Sequence, residues 1–364
     1  MIDAFNAVLK QAVQAKASDV HISAGGPFRI RNRGDVRPVE GSPTLGPMDT
    51  AAIAAEIVVS ARKAAPDSVQ DYLRRLTELD CSYSLAGVGR FRVNICSQRG
   101  SFSIVLRSIA DVIPTFEQLG LPPVLADIAS EDRGLVLVSG TTGSGKTTTL
   151  AAMVGYVNRL RSKKIITIED PIEYLHRDEE SNVIQREVGS DTDSFDSALR
   201  AALRQDPDII MIGEMRDRVT IDIALKAAET GHLVFSTVHT TDAPRTIARL
   251  IGVFDSAEQP VVRQRLSESL RAVVSQRLLP RADGTGRIVA AEIMRHTATI
   301  EECIADPEKT ADITDLIADG RTQYGMQTFD QHLTALYTER LISLDVAKSG
   351  ATSPDDFERN LQFQ

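Results

Sequence analysis

Residues 140–147 read GTTGSGKT and follow the apolar run Leu135-Val136-Leu137-Val138 after a single serine. This order of strand, glycine-rich loop and helix-forming segment carries the spacing G-x-x-x-x-G-K-[ST] of a phosphate-binding loop. Gly140, Gly143 and Gly145 let the backbone curl so that successive N–H groups point at phosphate oxygens. Lys146 adds a point charge at the β- and γ-phosphates, and Thr147 offers a hydroxyl where Mg²⁺ is held. Thr141, Thr142 and Ser144 complete the loop, and Thr148 follows in the first helical turn, so all of 140–148 are candidate nucleotide contacts. The plain alternative is a glycine-rich turn before an ordinary helix. The buried-type strand in front and the helix-forming stretch Thr147–Asn158 behind argue against it. A nucleoside triphosphate is the expected ligand.

The rest of the chain can be organised around that loop. Leu135–Val138, Ile165–Ile168, Ile209–Ile212 and Leu233–Val238 are continuous apolar runs, as in strands covered on both faces. Between them Phe195, Ala198, Leu199, Ala202 and Leu203 repeat as one face of a helix. Alternating strands and helices predict a parallel sheet with right-handed crossovers. Beyond about residue 290 the chain reads as helical, with Phe329, Leu333, Leu336 and Tyr337 spaced as a buried face.

The first 107 residues have a different texture. Val20–Ser23 and Phe28–Arg31 predict short antiparallel strands with a turn at Asn32–Asp35, and residues 48–78 carry alanine-rich helical periodicity. Gly89–Ile95 alternates, with Phe91, Val93 and Ile95 on one face and Arg90, Arg92 and Asn94 on the other, and a second strand follows at Ser103–Arg107. Residues 108–122, rich in proline, read as a linker. The length of 364 residues suits this division into domains at 1–107 and 123–364.

Composition removes several classes. A net charge of −9 and the lack of a basic and aromatic groove pattern argue against direct work on nucleic acid. No apolar stretch approaches the roughly 18–20 residues that span a bilayer. The N-terminus carries Asp3 and no basic leader, and the three cysteines have no paired spacing for zinc or disulfides. A cytoplasmic protein is expected.

Ligands of open α/β sheets sit beyond the carboxyl ends of strands, so the residues that follow each strand matter most. Glu169-Asp170-Pro171-Ile172-Glu173 places three acids where water could be activated or Mg²⁺ held. Gly213-Glu214 follows Ile209–Ile212; many P-loop enzymes have an aspartate where Gly213 stands, and Glu214 is the next residue able to meet the metal. His232 and His239 bracket Leu233–Val238, and the residues leave open whether they are structural or sense phosphate. Arg90 and Arg92 share a strand face that, read locally, is a solvated edge.

These motifs resemble a known superfamily. GTTGSGKT, TIEDPIEYLH (167–176), LRQDPDIIMIGEMRD (203–217) and TGHLVFSTVHT (230–240) are similar to the Walker A, Asp box, Walker B and His box of secretion ATPases. SDVHIS (18–23), GRFRVN (89–94), REVGSDT (186–192) and GMQTFD (325–330) resemble the type IV pilus retraction ATPases of the PilT family. The resemblance implies a small PAS-like α+β N-terminal domain, a flexible linker and a RecA-like P-loop core with C-terminal helices, assembled as a homohexamer. It also implies ATP and Mg²⁺ as ligands, with Glu173 polarising the attacking water and Glu214 supporting the metal. His232 and His239 would couple the phosphate state to motion, and Arg90 and Arg92 would act as arginine fingers, which reverses the local reading of that strand. An inner-membrane pilus platform protein and a paralogous pilus ATPase are the implied partners, at the inner face of the cytoplasmic membrane.

Assembly ATPases of the superfamily carry a further N-terminal domain and a tetracysteine zinc motif. The start of this sequence and its scattered cysteines favour retraction instead. One stretch departs from the retraction pattern: Thr299-Ile300-Glu301-Glu302-Cys303-Ile304-Ala305 stands where an AIRNLIRE-like motif belongs, with Glu301 and Ala305 in place of basic residues. An accessory motor, a motor for secretion, conjugation or DNA uptake, and an ATP-binding regulatory partner of another pilus motor are the alternatives.

Overall fold

The alternating residues of the first hundred positions and the continuous apolar runs after residue 134 build two separate sheets. The computed structural model describes residues 1–32, 34–110 and 112–361. Arg33, in the expected turn, and Asp111, in the expected linker, lie outside the described residues, as do 362–364. The chain forms two units, one of Met1–Val112 with Asp170–Leu175 and Glu187–Asp193, the other of Ile113–Glu169, His176–Arg186 and Ser194–Gln364.

The first unit runs α1 (Ile2–Gln14), β1 (Asp19–Ser23), β2 (Arg29–Asn32), β3 (Asp35–Pro38), α2 (Pro47–Ser60), α3 (Val69–Arg75), β4 (Glu78–Leu85), β5 (Gly89–Gln98) and β6 (Ser101–Ser108). Its strands pair antiparallel in the order β3-β2-β1-β6-β5-β4. Phe91, Val93 and Ile95 of β5 are fully buried beside Ile104 and Leu106 of β6, as the alternation requires. Phe5, Val8, Leu9 and Ala12 recur at helical spacing and give α1 one buried stripe. The helical stretch expected over 48–78 is broken: α2 ends at Ser60, α3 covers only Val69–Arg75, and Glu78 already starts a strand.

The second unit begins with α4 (Phe116–Leu119) and α5 (Val124–Ala129), so the expected linker is structured over much of its second half. Thr115 caps α4 by accepting the Gln118 N–H, and Phe116 and Leu121 are buried in this unit's core. There follow β7 (Gly134–Ser139), α6 (Lys146–Leu160), β8 (Lys164–Glu169), β9 (Asn182–Glu187), α7 (Phe195–Ala202), β10 (Ile209–Ile212), α8 (Arg218–Glu229), β11 (Leu233–Val238), α9 (Ala243–Ile251) and α10 (Gln259–Ser269). Next come β12 (Leu270–Pro280), β13 (Arg287–Arg295), α11 (Ala298–Ala305), a 3₁₀ turn (Thr310–Asp312), α12 (Ile313–Asp319), α13 (Arg321–Tyr324), α14 (Phe329–Thr338), α15 (Leu344–Gly350) and α16 (Pro354–Leu361).

The sheet order is β13-β12-β7-β11-β10-β8-β9, with β12, β7, β11, β10 and β8 successively parallel and β13 antiparallel to β12. The α/β class and the P-loop core are therefore as expected. The region read as helical from about 290 is corrected, since β13 continues to Arg295 and the next helix starts at Ala298. Its apolar run is short enough to suit either structure, and pairing with β12 decides.

Phe235 is fully buried on β11, in the core that lies beneath the P-loop strand. Phe235→Ala should cost about 3–5 kcal/mol of stability. Urea unfolding followed by circular dichroism checks it, and a loss below about 1 kcal/mol would mean that the sheet centre can collapse around the void.

Candidate nucleotide-binding site

Because β7, β11, β10 and β8 are parallel, the loops that leave their carboxyl ends share one edge of the sheet. The P-loop spans the gap between Ser139 and Lys146, where α6 starts. Gly140 adopts φ +149°, and a Cβ there would lie 2.4 Å from Ser144 Oγ and 2.6 Å from the Gln276 carbonyl oxygen, so the turn accepts no side chain. Lys146 is buried, and its Nζ donates to the carbonyl oxygens of Gly140 at 2.9 Å and Thr141 at 3.0 Å. The loop is thereby pulled into a ring around an ammonium group. Thr141, Thr142 and Gly143 are exposed, whereas Gly145, Thr147 and Thr148 are half-buried around the helix start.

Ser144 Oγ is buried and has no hydrogen-bond partner among the described residues. That orphan hydroxyl, the buried ammonium and the positive end of the 15-residue α6 form the donor set a polyphosphate needs. No group of three or more His, Cys, Asp or Glu forms a metal cage among the described residues. A Mg²⁺ held through phosphates, water, the Thr147 hydroxyl and one acid needs none.

Glu214 and His239 meet on the same edge. Glu214 Oε2 accepts from Arg216 Nε at 2.7 Å and lies 3.4 Å from His239 Nε2. The Glu214 loop is stitched to β11, with Thr237 Oγ1 donating to the Gly213 carbonyl at 2.7 Å and the Met215 N–H to the Thr237 carbonyl at 3.1 Å. A Cβ at Gly213 would lie 3.3 Å from the Ile168 carbonyl oxygen and 3.5 Å from the Glu169 Cα. A side chain at 213 would thus be tightly packed against β8, while the next residue, Glu214, carries the acid. Glu169, which ends β8, is buried, and its Oε1 accepts from Thr167 Oγ1 at 2.6 Å and Gln185 Nε2 at 3.0 Å. Glu173 is exposed, on a segment that clusters with the first unit.

His232 is not beside the nucleotide edge. It precedes β11, so the length of a six-residue strand, roughly 20 Å at about 3.3 Å per residue, separates it from His239. Its Nδ1 is 2.9 Å from the Ala227 carbonyl oxygen and 3.3 Å from Thr230 Oγ1, which closes the end of α8. The two histidines bracket one strand in sequence, and for that reason they belong to opposite edges.

In the first unit, Arg90 and Arg92 project from the face of β5 opposite its core residues. Arg90 is no solvated edge residue: its Nη2 donates to Glu187 Oε2 at 3.0 Å, and Glu187 is only 3% exposed. Glu187 also accepts from Ser82 Oγ at 2.6 Å, Ser190 Oγ at 3.2 Å and the Ile172 N–H at 3.2 Å. Burial pushes this carboxyl up, but the Ser82 hydrogen bond and the Arg90 charge outweigh it and hold it below the usual glutamate range. Arg92 is exposed and lines a cavity of about 130 Å³ with Lys63, Asp80, Glu187 and Gly189. Neither Glu187 nor Gln185 follows from spacing alone, since β9 has no apolar alternation to mark it as a strand.

A P-loop opening onto a helix at the carboxyl edge of a parallel sheet, flanked by an acid and a histidine from neighbouring strands, defines a P-loop nucleotide-binding core. The chain belongs to the type II/IV secretion system protein family, whose pattern matches residues 1–353. It is similar to the type IV pilus retraction ATPase PilT of Pseudomonas aeruginosa, 45% identical over 341 residues that cover 94% of this chain and 96% of that protein. The type IV pilus ATPase PilU of the same species is 41% identical over 356 residues, 97% of this chain and 90% of that one. A crystal structure of the pilus retraction motor PilT with bound ADP matches with a TM-score of 0.86 at 42% identity, covering 97% of this chain and 98% of that chain.

Glu187→Ala should destabilise the first unit by about 3 kcal/mol, because it strands the partly buried Arg90 guanidinium. The lowered carboxyl makes this contribution complete at neutral pH, to be lost only as pH falls through its folded value. Denaturant titrations of both proteins at pH 7 and at pH 3 check this, with the difference between them shrinking at the lower pH.

Proposed function

We propose that this protein is a Mg²⁺-dependent ATPase motor that hydrolyses ATP to ADP and phosphate to power type IV pilus retraction. It works as a homohexamer against a platform protein at the inner face of the cytoplasmic membrane. The observation that carries the reading is the ring of loop carbonyls around Lys146, on the sheet edge that also presents Glu214 and His239. The 45% identity to a retraction ATPase along nearly the whole chain supports the cellular role. Among the described residues no helix is long and apolar enough to cross a membrane, in keeping with a peripheral position.

In this reading the backbone N–H groups of 141–147 and the Lys146 ammonium cradle the phosphates, with the hydroxyls of Ser144, Thr147 and Thr148 completing the shell. A bound Mg²⁺ supplies charge neutralisation at the transferring phosphoryl group. Thr147 and Glu214 are the residues that would hold it. Glu173 accepts the proton of the attacking water, and Arg90 and Arg92 balance the charge that develops on the phosphoryl oxygens. His239, already against Glu214, reports whether the γ-phosphate is present. His232 is left with the closure of α8.

A second reading, an accessory or paralogous motor beside another pilus ATPase, is favoured by one feature. α11 buries Ile300, Cys303 and Ile304, and it carries Glu301 where the retraction motif has a basic residue, with Glu301 Oε2 3.2 Å from His296 Nε2. The similarity to PilU fits this reading as well.

Lys146→Ala should abolish nucleotide binding, measured by fluorescent-ATP titration. Glu173→Gln and Glu214→Gln should bind ATP within about threefold of wild type yet lose at least a hundredfold in kcat, since each removes charge without emptying the loop. Normal turnover in Glu173→Gln would move the proton-accepting role elsewhere. A strain lacking the gene should carry excess pili that do not retract, and absent pili would point to assembly instead.

A further inference from the structure

β12 and β13 shoulder the P-loop strand, and one row of polar side chains crosses them inside an apolar layer. Ser139 of β7, Ser275 of β12 and Glu292 of β13 are register partners, and they are 0%, 0% and 5% exposed. Ser139 Oγ donates to Ser275 Oγ at 3.0 Å, and Ser275 Oγ lies 3.3 Å from Glu292 Oε1. The same carboxylate oxygen accepts the Ala243 N–H at 2.9 Å, at the head of α9. One end of this row is the residue before Gly140. The other end is four residues beyond His239, and Asp242 between them caps α9 by accepting the Arg245 N–H at 2.9 Å.

Burial pushes the Glu292 carboxyl up to about 7, with Asp242 adding to the effect and the Ala243 N–H, Ser275 and Arg277 opposing it. A buried acid with this desolvation cost is retained where a leucine would pack without it. Its hydrogen bonds join the P-loop shoulder to the start of α9, and the short stretch from Ala243 back to His239 sets the imidazole against Glu214.

We propose that Glu292 is a positioning residue for ATP turnover, anchoring the head of α9 to the P-loop shoulder so that His239 stays on Glu214. The proposal rests on the hydrolysis reading above. Glu292→Met keeps the volume and offers no acceptor, which leaves the Ala243 N–H buried and unpaired. Glu292→Gln keeps an oxygen for both donors.

The test uses the full chain in its native assembly, with folding checked by thermal unfolding. Glu292→Met should lose about tenfold or more in kcat with the fluorescent-ATP Kd within about threefold, while Glu292→Gln retains at least about half of the activity. In Glu292→Met/His239→Ala the loss should be no greater than in His239→Ala alone, as residues acting through one another require. Carbethoxylation of His239 by diethyl pyrocarbonate, read by peptide mass, should run faster in Glu292→Met and at the wild-type rate in Glu292→Gln. Should the methionine variant not fold, Glu292→Ala and Ser275→Ala take its place in the same measurements. An unchanged kcat, losses that multiply in the double variant, or an unchanged His239 modification rate would each overturn the proposal. A wild-type protein that binds ATP without hydrolysing it would instead defeat the hydrolysis reading, and the His239 modification rate would still decide whether Glu292 holds that loop.

Discussion

No side chain fits at Gly140, and the groups that exclude one are those that shape the nucleotide edge. On one side stands Ser144, whose hydroxyl has no partner among the described residues; on the other is the Gln276 carbonyl of β12. The strand therefore has to leave the sheet abruptly, and Lys146 folds back onto the first two carbonyls of the turn. A buried ammonium is costly unless its donors are used. The loop oxygens use two of them and keep the charge where an anion can meet it. β12 thus does more than extend the sheet, because Gln276 also hydrogen-bonds Thr149 in the first turns of α6 and fixes the helix that follows the loop.

The parallel arrangement then decides which candidate residues meet. Residues that end neighbouring parallel strands come to one edge whatever their separation in sequence, which brings Glu214 to His239 across 25 positions. Residues that flank the same strand are driven apart, as His232 and His239 are. The backbone of β8 at Ile168 and Glu169 also runs close to Gly213, so that a Cβ there would be in tight contact with it. The acid one residue later lies against Arg216 and His239, and Thr237 fastens the loop to β11 in that register.

Legibility in the sequence tracked how closely local pattern and tertiary role agree. The P-loop, the apolar strand before it and the three that follow it could be read directly, because continuous burial on both faces leaves little else for such runs to be. β5 and β6 were legible for the complementary reason, that one covered face gives strict alternation. β12 was hidden because its run is interrupted by Arg271, Ser275, Gln276 and Arg277, of which the last three have tertiary partners in Glu292, Thr149 and the Phe329 ring, while Arg271 bonds the nearby Glu268 carbonyl. β9 was hidden because it lies at the sheet edge with mostly half-buried positions, and the Arg90–Glu187 pair that its last residue completes has no signature at a spacing of 97 residues.

The interruptions that hid those strands are where the protein departs from the cheapest way to fold. An apolar β12 and β13 would pack at least as well and would spare the desolvation of Glu292. The same holds for Glu169, buried at the end of β8 with Thr167 and Gln185 as donors, and for Glu187 among Ser82, Ser190 and Arg90. In each case the acid ends a strand or faces its neighbour at a point where another segment must be held in one position: the β9 strand, the Arg90 guanidinium or the head of α9. Local pattern and global fold disagree where a position has been committed to something other than stability. The motor proposed here has particular need of such points, since a hydrogen-bonded carboxylate fixes an angle that apolar contact, which is non-directional, leaves free.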